Sequence, residues 1–600
     1  MTQTLAHRGP DDAGIFLADG VALGHRRLRI IDLSPAGAQP MTFGGATVVY
    51  NGECYNFQRL RGQLESLGHA FRGHSDTEVL LHAYDAWGVE GLERLEGIFA
   101  FALWDAARRR LVLMRDRLGV KPLYYAQRGE RLAFGSEIKA VFAGLDADRT
   151  PDAQALAEYL WYGNAFEERT LYRGVRALPP AHRLVVEEGR QQLQAWWRVE
   201  SWLEQPRAVP DVHTAASQVR DAVDAAVARQ LVSDVPVGLF LSGGVDSSSI
   251  AAAVAQAGGR RLQSFAVGFD YEHGVNELAK AQRVARHFGF AHHELHVRGD
   301  RLEEVITELV QAHDEPFADA ANIPLFLLAR ALHGTIKVVL QGDGGDEMFA
   351  GYRRYALLRW ARQWQLWPAA LDAVLWRAGR RGVRAARLGA AAGHVDPAMR
   401  MALLLTVETL RDPPTAMLRD AARTELASRA DPFVAFRRCA LRFVGTDPVQ
   451  QMLLTDLTLQ LPSQFLSKVD RATMAHGIEA RVPLLDEGVA ALAVALPADL
   501  KVRGLQKKIL LREAMRPRLP AGIVDAPKTG FGVPYEEWLR TSLHGFARAA
   551  LLADDFIERF SLDRVRLAQA LDEHAARRRE RGFLLWKLLQ LALWSRHYLT

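Results

Sequence analysis

The stretch Gly238-Leu-Phe-Leu-Ser-Gly-Gly-Val-Asp-Ser-Ser248 constrains the fold of this chain more than any other. A short apolar run, Val237 to Leu241, stops at Gly243 and Gly244, and a helical pattern follows from Ile250. Buried strand, tight loop and helix start therefore come in succession. Such a loop turns bare backbone N–H groups and the positive end of a helix dipole toward an anion. The two glycines let a ligand approach the backbone, while Ser242, Ser247 and Ser248 supply hydroxyl donors. Asp246 repels an anion, so its expected task is to hold a magnesium ion that attracts one. A serine-capped helix after a plain turn explains each residue alone but not the set.

The motif resembles the pyrophosphate-gripping loop of the N-type ATP pyrophosphatases. It lacks the lysine of GxxxxGK[ST] and is not a loop for γ-phosphoryl transfer. The resemblance implies attack on the α-phosphate of ATP, an adenylate on the substrate, and release of pyrophosphate.

Length and composition narrow the frame. Six hundred residues suffice for at least two cores. An apolar fraction of 49% and a charged fraction of 24% are those of an ordinary globular chain. A net charge of +5 is small for this length and argues against nucleic acid as a partner. The run Arg577-Arg578-Arg579-Glu580-Arg581 is expected to be a solvated helix face. No apolar stretch has spanning length, and the first residues lack a signal-peptide pattern. Cys54 and Cys439 alone make neither a disulfide framework nor a cysteine metal site, and a reducing, cytoplasmic location follows as an expectation.

Two regions differ in pattern. Up to about residue 195 short strands are expected at Ala46–Tyr50, Ile98–Trp104, Arg110–Arg115, Leu123–Ala126 and Arg131–Gly135. The prolines and charges of residues 198–210 suggest a linker. Strands and helices then alternate. Strands are expected at Val235–Leu241, Leu262–Phe269, His293–Val297 and Ile336–Leu340, with a helix over Glu277–Phe288. Alternation implies a parallel sheet with helices on both faces, and ligands at its C-terminal strand ends. Beyond Tyr355 the pattern is helical, and residues 357–400 suggest a surface helical insertion.

Three further segments carry chemistry. After strand Ile336–Leu340, Gln341-Gly342-Asp343-Gly344-Gly345-Asp346-Glu347 offers glycines for close approach and acids for a metal. Leu466 to Asp486 sets Lys468, Asp470, Arg471, Glu479 and Arg481 in an otherwise apolar helical pattern ended by Pro483, expected as a solvated face or a buried ion-pair network. Pro527-Lys528-Thr529-Gly530-Phe531-Gly532 is a weak candidate for a loop closing on phosphates.

Together these segments make the chain similar to the glutamine-dependent (class B) asparagine synthetases. The first 197 residues carry the resemblance too, through His7-Arg8-Gly9-Pro10-Asp11, Arg27 to Asp32, Asn51-Gly52-Glu53-Cys54-Tyr55-Asn56, Ser75-Asp76-Thr77-Glu78, Gly97 to Phe101, Arg115 to Gly119 and Ser136-Glu137-Ile138-Lys139. The resemblance implies an N-terminal-nucleophile α/β/β/α glutaminase domain over 1–197, a linker, and an ATP-pyrophosphatase α/β domain with a helical C-terminal part over 211–600. The implied substrates are ATP, aspartate and glutamine or ammonia, with Mg2+ as cofactor and the family's homodimers as precedent.

By the same resemblance Arg27 clamps the glutamine α-carboxylate, Glu53 and Asp76 hold its α-amino end, and Asn51 and Gly52 supply oxyanion donors. Phe240, Leu241, Ser242, Gly243, Gly244, Asp246, Ser247, Val267, Gln341 and Gly342 form the ATP site, Asp246 and Asp346 bind magnesium, and Asp343 and Lys528 act in catalysis. Asp343 stands where many members carry the longer glutamate. The implied nucleophile is a cysteine at the mature N-terminus, whereas this chain starts Met1-Thr2-Gln3. Either a longer protein begins upstream with Met-Cys, which the retained glutamine-clamping residues favour, or the protein has lost its glutaminase; this chain is expected to use free ammonium. Loss of the first strand is expected to expose sheet edges in the first domain. Alternatives are a family amidotransferase with another carboxylate acceptor and a catalytically dead nucleotide-binding paralogue.

Overall fold

The computed structural model describes residues 1–204, 210–259, 262–269, 277–297, 301–366, 371, 374–376, 379–526 and 532–599. Its first part is β-rich. The strands are β1 (Asp12–Ala18), β2 (Val21–Arg27), β3 (Met41–Phe43), β4 (Ala46–Cys54), β5 (Gly97–Asp105), β6 (Arg110–Arg115), β7 (Tyr124–Arg128), β8 (Arg131–Gly135), β9 (Arg176–Ala177), β10 (His182–Glu187) and β11 (Arg190–Ala195). A six-stranded antiparallel sheet runs β11-β10-β6-β5-β4-β3, beside a β1-β2 ribbon and a three-stranded β8-β7-β9 sheet.

Alternation along the strands explains the layering. From β4, Val48 and Tyr50 pack with the helices Phe57–Ser66 and Asp76–Gly91, while Val49 between them packs with Leu23 and Tyr125 of the smaller β layer. The helix Ile138–Gly144 closes the far side through Ile138 and Val141, which pack with Tyr124 of β7. The order is helix, sheet, sheet, helix, as expected. Among the described residues β1 pairs with β2 alone, and its Ile15 and Leu17 are 68% and 74% exposed.

The second part is built on five parallel strands. These are β12 (Val237–Phe240), β13 (Gln263–Phe269), β14 (Ala291–Val297), β15 (Val338–Leu340) and β16 (Glu479–Arg481), in the order β14-β13-β12-β15-β16. Val219, Val223 and Ile250, from the helices Val212–Gln230 and Val245–Gln256, belong to the core on one face. Leu328, Ala329 and Val469, from Asn322–Leu332 and Ser467–Met474, cover Phe240, Phe265 and Val339 on the other. A C-terminal helix, Gly582–Tyr598, is apolar nearly all round and accordingly buried.

Three expectations need correction. The run Arg577-Arg578-Arg579-Glu580-Arg581 is the turn between the helices Arg564–Ala575 and Gly582–Tyr598 rather than a helix face, and Arg581 is mostly buried against Asp412. The segment Leu466–Asp486 is not one helix: Ser467–Met474 is helical, Gly477 turns the chain, and Glu479–Arg481 is the fifth strand. Three residues beside a helix are too few to show strand periodicity, and pairing with β15 decides the outcome. Nor is 198–210 wholly a linker, because Glu200–Leu203 forms a helical turn whose buried Trp202 lies 4.4 Å from the ring of Trp197.

The two parts meet across buried charges. Arg8 makes two bonds to Asp470, at 2.8 and 2.9 Å, and a third to Glu137 at 3.0 Å. Arg471 lies 3.1 Å from Glu137, Lys121 bonds Glu479 at 2.9 Å, and Arg481 lies 2.8 Å from Glu53. Burial alone raises a carboxyl, but Arg471, Lys139 and Arg8 hold that of Glu137 well below its ordinary value. A buried pair is costly to break because the surviving partner stays desolvated. Asp470→Ala is therefore expected to cost about 3–5 kcal/mol, read as a lower thermal midpoint, whereas Arg429→Ala at the exposed Arg429–Glu425 pair is expected to leave it unchanged.

Candidate functional site

Two cavities open at the places the motifs indicate. The first, about 380 Å3, lies at the C-terminal ends of β12 and β15. Its wall includes Phe240, Leu241, Ser242, Gly243, Gly244, Asp246, Ser247, Val267, Gln341, Gly342, Asp343 and Asp346. The structure thus brings together every expected nucleotide-site residue except Lys528, which lies outside the described residues.

Local sequence explains this geometry. The helix Val245–Gln256 starts at Gly244, whose missing side chain leaves the first-turn N–H groups without a side-chain cap. The Ser242 and Ser247 hydroxyls are 3.0 Å apart, and Ser247 Oγ accepts the Ser242 N–H at 3.2 Å. The acidic loop presses on this turn: a Cβ on Gly342 would lie 2.8 Å from Ser247 N. Only glycine permits that approach.

Charge in the cavity is sorted. Asp246 and Asp346 both contact the buried Lys508 ammonium, the second at 2.7 Å. They hold the Lys508 pKa above its usual value against the effect of burial. Two carboxylates converging on one cation form a hard-oxygen pair of the kind that binds magnesium together with phosphate oxygens. Burial pushes the Asp343 carboxyl up, opposed by nearby Lys468. Burial and Asp346 raise Glu347 to about 7, and Tyr352 Oη donates to it at 2.5 Å.

Sequence reasoning did not single out Lys508 or Tyr352 as site residues; Glu347 was noted only among the acids of its loop, and Lys468 only as a charge in a helical pattern. The available signal for Lys508 was the pair Lys507-Lys508 directly before the buried start of the helix Ile509–Met515.

The second cavity, about 360 Å3, lies in the first part and is lined by Arg27, Asn51, Gly52, Glu53 and Asp76, with Tyr50, Met474 and Glu479. Asn51 Nδ2 is buried and has no hydrogen-bond partner among the described residues. Gly52 has φ +142°, and a Cβ there would lie 2.0 Å from Ile98 O, so no other residue fits. The Arg27 guanidinium donates to the carbonyls of Asp32 and Ser34, at 2.5 and 3.3 Å. Asp76 accepts from Tyr50 Oη at 3.0 Å and from Cys54 N–H at 2.9 Å, and burial raises its carboxyl to about 6. The Cys54 thiol is buried, donates to Asn56 Oδ1 at 3.0 Å, and is pushed up by burial.

Met474 and Lys468 belong to the same helix, yet one lines the second cavity and the other the first. Across β16, Arg481 reaches Glu53 with its side chain and accepts the Gln341 N–H on its carbonyl at 3.0 Å.

Comparison with known proteins agrees with this arrangement. The asparagine synthase family model matches residues 218–596, and that of a glutamine amidotransferase domain matches residues 1–197. A putative glutamine-hydrolysing asparagine synthetase of Mycobacterium tuberculosis is 33% identical over 98% of this chain and 92% of its own length. Glutamine-hydrolysing asparagine synthetase 1 of Bacillus subtilis is 30% identical over 99% of this chain and 92% of its own. The amidase chyE of Penicillium rubens is 30% identical over 90% of this chain and 85% of its own. A parallel-sheet cavity between a serine loop and an acidic loop, preceded by an amidotransferase domain, places this chain in the asparagine synthase family.

Proposed function

We propose that this protein is a carbon–nitrogen ligase that converts aspartate to asparagine, using ATP and drawing its nitrogen from glutamine. A β-carboxylate oxygen of aspartate attacks the α-phosphorus, the bond to the bridging oxygen breaks, and pyrophosphate leaves. Ammonia then attacks the acyl carbon of the aspartyl-adenylate, and the C–O bond breaks to release AMP. The observation carrying this reading is the contact of the Gly342 loop with the Ser242–Ser248 turn, which puts phosphate donors and acids around one cavity.

The roles follow from chemistry. Phe240, Leu241 and Val267 offer apolar surface to the base, while Ser242, Gly243, Gly244 and Ser247 offer donors to the phosphates. Asp246 and Asp346 would hold Mg2+, which supplies charge neutralisation at the phosphates when bound. Lys508 adds a fixed positive charge there, and Lys528 is proposed to do so too. Asp343, raised by burial, is suited to take a proton from the incoming amine as the C–N bond forms.

In the second cavity Arg27 receives the glutamine α-carboxylate, and Asp76 with Glu53 its α-ammonium. Asn51 Nδ2 and the Gly52 N–H are the proposed oxyanion donors. The spare capacity of Asn51 supports this. Two buried, unpaired thiols fit a cytoplasmic setting.

Pyrophosphate release with ATP, Mg2+, aspartate and ammonium tests the first cavity. Release with asparagine formed in equal amount is expected, and Asp246→Asn should slow it on the order of a hundredfold. Formation of ADP and phosphate, or no release from folded protein, contradicts the proposal. A pH series tests the second. Asp76 is protonated below about 6 and then carries no charge for an ammonium. Glutamine binding, measured calorimetrically, should weaken up to about tenfold per pH unit below that value and level off above it. Asp76→Asn should remove the part of this dependence centred near 6.

A further inference from the structure

The segment from Arg359 to Arg387 lines neither cavity and differs in composition from the rest of the chain. It holds seven arginines against one acid, Asp372, together with four tryptophans. Its net of +6 exceeds the +5 of the whole chain, so the remaining residues are close to neutral. The excess charge of this protein is therefore concentrated in one surface insertion.

The described part of the segment sorts its residues. The helix Gly379–Ala392 buries Gly382, Ala386 and Gly389, a stripe of small residues at helical spacing, and turns Arg381 and Arg384 to solvent. The helical turn Ala361–Trp364 lies against the end of that helix, where a Cβ on Gly393 would stand 2.3 Å from Trp364 O. Along the same segment Leu366 and Val374 are 81% and 64% exposed, and Trp360 and Leu371 are exposed too. A single exposed apolar side chain is ordinary, but several within one basic segment mark a contact surface. Its charges are also unanswered. Arg359 meets Asp447 and Asp499, but no carboxylate among the described residues pairs with Arg362, Arg381 or Arg384. By contrast Arg419, Arg423, Arg429, Arg437, Arg438 and Arg442, on the helices that follow, each face a carboxylate.

We propose that this segment docks the protein on an anionic lipid bilayer. Arg362, Arg381 and Arg384 meet headgroup phosphates, Trp360 sits at headgroup level, and Leu366, Leu371 and Val374 enter the acyl boundary. No described helix is long and apolar enough to cross a membrane, so the contact is peripheral. A nucleic acid would answer the arginines but not Leu366, Leu371 and Val374, because aliphatic side chains neither stack on bases as aromatic rings do nor bond phosphates. The proposal does not depend on the ligase reading, since neither cavity includes these residues.

The test is cosedimentation of the whole chain with vesicles of phosphatidylcholine alone, or mixed with phosphatidylglycerol. Wild type should bind the anionic vesicles about tenfold or more tighter than the neutral ones, and added salt should weaken that binding. Arg381→Gln combined with Arg384→Gln should weaken it on the order of thirtyfold. Leu366→Asp combined with Val374→Asp should weaken it by about tenfold or more. Arg429→Gln, at an exposed ion pair on another helix, should bind as wild type does. A thermal midpoint equal to that of wild type separates lost docking from lost folding in each variant. Equal binding to both kinds of vesicle, or undiminished binding by the folded double arginine variant, overturns the proposal. So does binding of duplex DNA, but not of vesicles, that the Leu366→Asp and Val374→Asp variant retains.

Discussion

The buried ion pairs between the two domains are the constraint on which both cavities depend. Arg8, Glu137, Asp470, Arg471, Lys121, Glu479, Arg481 and Glu53 are all below 10% exposure. Charges taken so far from water persist only with close partners. Arg8 forks onto Asp470, and Arg481 lies between Glu53 and Glu479. The pairs Arg8–Asp470, Glu137–Arg471, Lys121–Glu479 and Glu53–Arg481 each join a residue of the first domain to the helix Ser467–Met474 or to β16. The helix borders both cavities, and β16 borders the second and holds Gln341 in the wall of the first, so the docking that satisfies the charges also shapes the sites.

Arg481 shows how tight this arrangement is. Its side chain answers Glu53 in the wall of the second cavity, and its carbonyl fixes Gln341 in the wall of the first. It also donates to the carbonyls of Gln230 and Val232, at 2.8 and 2.7 Å, tying the strand to the end of the helix Val212–Gln230. A shift of one cavity wall therefore loads a residue that the other also uses. In such a frame a three-residue strand suffices, because its pairing with β15 is reinforced by side chains at both of its ends.

Much of this was legible in the sequence. The strand–turn–helix at Val237–Gln256 and the acidic loop after β15 were placed by apolar runs that stop at glycines, and both lie at the expected sheet edge. Strands Arg110–Arg115 and Arg131–Gly135 agree with their expected bounds. What was not legible depends on contact over long sequence separation. Glu479-Ala-Arg481 carries no strand signal of its own and becomes β16 by pairing with a segment some 140 residues earlier. Lys508 is an ordinary lysine in the sequence and gains its role from Asp246 and Asp346, 262 and 162 positions away. Likewise Tyr50 reads as a core aromatic until Asp76 meets its hydroxyl.

The first cavity is proposed to activate a carboxylate by placing it on the α-phosphorus of ATP. Aspartate labelled with 18O in its β-carboxylate tests this most directly. Turnover with ammonium, followed by mass analysis of the nucleotide, should give AMP carrying one labelled oxygen, because the oxygen that attacked phosphorus leaves with it. Unlabelled AMP, or ADP with label in inorganic phosphate, would contradict the account.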